Sequence, residues 1–101
     1  MTLAEWAIQH LDFLEADAVD TGTKLRRLIE AEYRRRLTRY QYTVHALEQK
    51  HGMTFDQFEA QRVVERRGYS WEVESDAQDW EMAIDGIATM ERQLAKLLEM
   101  A

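Results

Sequence analysis

From Lys24 to His51 the chain runs about 28 residues without a glycine or a proline, which as one helix spans roughly 42 Å. Apolar residues recur within it in steps of four and three, at Leu25, Ile29, Tyr33, Leu37, Tyr40, Val44 and Leu47. That rhythm lays them on one stripe about 120° wide, the width of a core-facing helix. The remaining surface carries Lys24, Arg26, Arg27, Arg34, Arg35, Arg36 and Arg39. A rod with one apolar side and a basic remainder needs a cover for the first and counter-charge for the second.

The rest of the chain offers both. Glu5, Asp12, Glu15, Asp17 and Asp20 precede the rod without a cation among them, and Glu72, Glu74, Asp76, Asp79, Glu81, Asp85 and Glu91 follow it. The order is acid, base, acid. The whole chain lacks proline and cysteine and has 4 glycines, a helical composition. Without cysteine neither disulfides nor thiolate metal centres can form, and a reducing cytoplasm is the expected location. No apolar run reaches membrane-spanning length, and the first residues lack the basic stretch of a signal peptide, so no membrane partner is expected. A net charge of −6 weighs against nucleic acid as the main partner.

Start and stop signals divide the chain, read as a single domain over 1–101, into helices at about 2–19, 23–51, 54–67 and 75–100. Thr2 with Glu5, Thr54 with Gln57, and Ser75 with Gln78 have capping-box spacing, and Met1 with Trp6 and Met53 with Phe58 have that of a hydrophobic staple. Gly52 marks the end of the long helix, and Gly68 the end of the short one. Tyr69-Ser70-Trp71-Glu72-Val73-Glu74 alternates apolar with polar and reads as an extended connector holding Tyr69, Trp71 and Val73 over the bundle. The expected fold is all-α: an antiparallel long-helix hairpin with an N-terminal helix and a short connecting helix, with Leu37 near Ile87, Val44 near Trp80 and Leu25 near Leu98. The arginine-rich helix would then lie beside the carboxylate-rich one, with Glu91 meeting Arg26 or Arg34. Leu28, Tyr42, Ala46, Met90 and Leu97 fall off the main stripes, which points to a homodimeric bundle.

No residue pattern supplies a catalytic, cofactor or metal site. Arg39 and His45 have the Arg-x5-His spacing that resembles the motif of small helical HEPN ribonucleases, but one helix sets them about 120° apart around its axis. Glu48 and His51 have the Glu-x-x-His spacing of di-iron bundles without the second pair and extra glutamates such a site requires. Asp76 with Asp79, and Glu81 with Asp85, lie one turn apart, as in helical nucleotide pyrophosphatases, yet the facing helix offers only scattered glutamates. Arg35, Arg39 and Tyr42 share an exposed face that would serve a nucleic-acid surface.

Two stretches carry a resemblance. His51-Gly52-Met53-Thr54-Phe55-Asp56-Gln57-Phe58-Glu59, within Tyr42 to Glu59, and Asp79-Trp80-Glu81-Met82-Ala83-Ile84-Asp85-Gly86, within Gly68 to Leu98, resemble small uncharacterised prokaryotic helical proteins. These have a Gly-Met-Ser/Thr-Phe-x-x-Phe-Glu turn and an acidic Trp-Glu-x-Ala-x-Asp helix, and some look like antitoxin components of toxin–antitoxin modules. The resemblance implies a non-enzymatic interaction module that neutralises a basic partner protein. Glu72, Glu74, Asp76, Asp79, Glu81 and Asp85 would mask it, and Trp71 would anchor it. A helical nuclease or nucleotide hydrolase, and a structural homodimer or nucleic-acid-binding accessory protein, are the alternatives.

Overall fold

The computed structural model describes residues 2–17 and 20–100. Helices α1 (Glu5–Leu14), α2 (Thr21–His51), α3 (Phe55–Ala60), α4 (Val63–Arg66) and α5 (Trp71–Glu99) follow in order, with no strand among the described residues. The main interface joins α2 to α5, and α1 packs against α2. This is the antiparallel hairpin that the two stripes demand. His51 lies beside Asp76, Val44 packs on the cluster around Trp80, and the Tyr40 ring lies against Gly86, all in the expected register.

Local chemistry sets most of the boundaries. The Asp20 carboxylate accepts the Thr23 N–H at 2.7 Å and caps α2. Gly52 ends that helix at φ 66°, a left-handed conformation that an added Cβ would strain. Thr54 and Gln57 then form both arms of a capping box, and Met53 packs on the cluster that holds Phe58.

Several boundaries differ from expectation. The short helix is two pieces, because Arg62 adopts a left-handed conformation, φ 52°. Neighbours on a straight helix point about 100° apart. Beyond the break, Val63 is buried and Val64 packs, partly buried, against the same core. The extended connector does not form. Ser70 accepts the Val73 N–H, and α5 starts at Trp71, so the Ser75 cap goes unused. Only Val73 of the three expected pins is buried; Tyr69 and Trp71 are exposed. Carboxylates at Glu72 and Glu74 favour this start, since they sit in the first turn at the positive end of the helix dipole. Helix α1 is shorter than expected. Its N-cap is Ala4 with no side-chain cap, so the Thr2–Glu5 box is absent; Met1, Ala18 and Val19 lie outside the described residues.

Four rings knot the turn end together. Trp80, fully buried, stacks on His51 with ring centroids 5.6 Å apart and meets Phe55 at 5.3 Å and Phe58 at 5.2 Å. Leu47, Val63 and Val73 complete this core. Away from it the rod continues to a length of 58 Å with widths of 26 and 23 Å. Its radius of gyration, 19.5 Å, far exceeds the roughly 13 Å of a compact chain this long.

Candidate interaction surface

The charges do not pair across the hairpin as the acid–base order suggests. Arg34 binds Glu30 at 2.9 Å, while Arg35 and Arg36 both bind Glu32 at 2.7 Å. These are contacts within one helix, one turn apart, which require no second element. Hydrogen bonds from Arg36 and Arg35 hold the Glu32 carboxyl below its usual range. Glu91 is exposed and has no ion pair among the described residues, so the expected bond to Arg26 or Arg34 is absent. The cross-hairpin pairs come instead from the last turn of α2. Lys50 reaches Glu72 at 2.9 Å and Asp76 at 2.8 Å, and His51 Nε2 donates to Asp76 at 2.9 Å.

Partial burial works to raise the Asp76 pKa, and the hydrogen bonds from Lys50 and His51 outweigh it, leaving the carboxyl below its usual range. A carboxylate depressed in the folded state stabilises the fold above its unfolded pKa and loses that contribution as pH falls through the native value. Stability should therefore fall more steeply on acidification in wild type than the remaining groups alone dictate, and Asp76→Asn should flatten this limb. Urea unfolding across the acid range measures it; identical slopes for both chains would exclude the linkage.

The seven expected partner-binding residues fall into two groups. Glu72 and Asp76 are committed to Lys50 and His51, and Asp79 lies at the α2 side, where it and Met82 border a cleft with Arg39, Tyr40 and Thr43. At about 100° per residue, Trp71, Glu74, Glu81 and Asp85 fall on one outward face of α5, and Met82 joins them. Trp71 is 79% exposed and Met82 69%. Met82 is the residue that sequence reasoning missed; its four-residue spacing from Gln78 and eleven from Trp71 becomes legible only once the helix is known to start at Trp71. Beside this face, a cleft of about 370 Å³ over α3 and α4 reaches Ala77, lined by Glu59, Arg62, Val63, Val64 and Glu65.

The other expected residues are in place but dispersed. Arg39 and Tyr42 are exposed on α2, Tyr42 at 74%, while Arg35 on the same face is tied to Glu32. Arg39 lies 6.0 Å from the Tyr40 ring centroid rather than near His45. His51 is wedged among Asp76, Trp80 and Phe58, so the Glu48–His51 pair does not converge on a ligand position. Among the described residues no three His, Asp or Glu side chains cluster as metal ligands. No helix is long and apolar enough to cross a membrane, among the described residues.

No protein family, curated protein or solved structure matches this chain. The functional reading therefore stands on side-chain placement.

Proposed function

We propose that this chain is a non-enzymatic helical interaction module, antitoxin-like, which in two copies binds and neutralises a basic partner protein in the cytoplasm. The observation that carries this reading is the outer face of α5, where exposed Trp71 and Met82 lie among Glu74, Glu81 and Asp85. These three carboxylates have no ion pair among the described residues, unlike Glu72 and Asp76. A large exposed ring on an otherwise polar face is how aromatic anchors sit before a partner covers them, and uncommitted like charges beside it steer a basic surface into place. The resemblance of His51–Glu59 and Asp79–Gly86 to small prokaryotic helical proteins, some of which look like antitoxin components, supports the same reading.

Trp71→Ala should weaken binding to a basic partner protein recovered with the tagged chain from its native cells by about 30-fold or more, the loss expected for an aromatic anchor of ~2 kcal/mol. Asp85→Lys should slow association and reduce its salt dependence. Because Trp71 is exposed, the melting temperature should stay that of wild type. Titration calorimetry on both variants decides; undiminished affinity would overturn this choice of surface.

A further inference from the structure

The two ends of the rod are unlike. Four rings close the turn end, whereas the end where α2 begins and α5 finishes is open. Two adjoining concavities there share Leu25 as a common wall. One, of about 440 Å³, runs between α2 and α5 past Ile29, Leu97 and Met100. The other, of about 220 Å³, lies against α1 and is lined by Trp6 and Leu14. Trp6, Leu14 and Met100 are 69%, 61% and 80% exposed. The accessible surface of the chain is 7532 Å², against about 6,000 Å² for a compact monomer of 12.0 kDa. The excess, roughly 1,500 Å², is more than the ~800 Å² that each partner contributes to a standard interface.

We propose that a second copy of this chain covers this end, so that two rods join at Leu25 and carry their Trp71 faces away from each other. This rests on the two-copy part of the reading above and supplies its interface. Charge selects the occupant. The rim holds both signs in equal number, Lys24 on Asp12, Arg27 on Glu15, and Arg26 with Asp20 along the larger concavity, so a two-fold copy meets no net repulsion. The α5 outer face carries Glu74, Glu81 and Asp85 and would repel its own copy. An apolar centre with few charges is also the composition of permanent homodimer interfaces. Of the residues that stripe geometry left over, Leu97 lines this end, whereas Met90 is buried within the chain and Tyr42 and Ala46 lie away from it.

Light scattering on the full chain should give twice 12.0 kDa at micromolar concentration. Ile29→Glu should halve that mass with helical content retained, and Tyr42→Glu should leave it unchanged. Spin labels placed by Glu99→Cys, in a chain without other cysteines, should couple strongly, while labels at Glu59→Cys should show no coupling, being separated by more than the 58 Å of one rod. A monomeric wild type would overturn both this proposal and the two-copy assumption. A dimer whose labels couple at Glu59 and not Glu99 would overturn this interface alone, and so would a folded Ile29→Glu that stays dimeric. Should Ile29→Glu fail to fold, the label pair decides. Loss of partner binding by Trp71→Ala is read separately and bears on neither outcome.

Discussion

Trp80→Ala is expected to remove about 3–5 kcal/mol of stability, the range for deleting a fully buried large aromatic. Against a total of about 5–15 kcal/mol for a domain, that is enough to leave much of the population unfolded in mild denaturant. The cost is high because one side chain serves three elements. Its ring touches His51 at the end of α2 and both phenylalanines of α3 from within α5. Truncation leaves a void that short, capped segments cannot refill without breaking the Thr54 box. Trp80→Phe should cost less than its lost volume implies, because the buried indole N–H has no acceptor among the described residues and its removal forfeits no bond. Urea unfolding at fixed protein concentration measures both, and a change below about 1 kcal/mol for Trp80→Ala would contradict the packing described.

Gly86→Ala should also destabilise, although helix propensity argues the reverse. Alanine inside a helix gains about 1 kcal/mol over glycine. Here the added Cβ would stand 2.6 Å from Tyr40 Cε2, 2.7 Å from Cδ2 and 2.8 Å from Cζ, closer than carbon atoms approach. Overpacking of this kind costs about 1–3 kcal/mol, so the net effect is a loss. The decisive comparison is in a Tyr40→Ala background, where the obstruction is gone and Gly86→Ala should become stabilising. Such a change of sign is the signature of direct contact between the two positions. Equal effects in both backgrounds would mean that the helices do not approach closely at this point.

The hairpin was legible because two long apolar stripes are joined by a short connector, and the Gly52 and Thr54 boundaries because each depends on residues within one or two turns. Where the reading failed, two local signals competed. Ser75 has Gln78 in the capping-box position, whereas Ser70 has only Val73, so pattern favours the later start. The structure prefers Ser70 because that choice buries Val73 and lengthens the α5 stripe, a tertiary gain that no cap spacing records. The break at Arg62 was hidden for a similar reason: nothing in Gln61-Arg62-Val63 announces a left-handed residue. Ion pairing went astray because opposite charges in separate segments suggest each other, while Glu30 and Glu32 were closer to hand. For the candidate surface, the sequence named the acidic residues but not their directions. Moving the start of α5 to Trp71 is what separates Glu72 and Asp76 from Glu74, Glu81 and Asp85.

The knot at the turn has a kinetic consequence. Its members, with the adjoining Lys50–Glu72 and His51–Asp76 pairs, are among the nearest in sequence of the partners that α2 and α5 bring together, so they meet after a small loss of chain entropy. Once His51, Phe58 and Trp80 are joined, each further turn of the two long helices closes a loop already shortened by the one before it. Assembly thus resembles a zip drawn from the Gly52 corner toward Leu25, and breathing runs in the opposite direction.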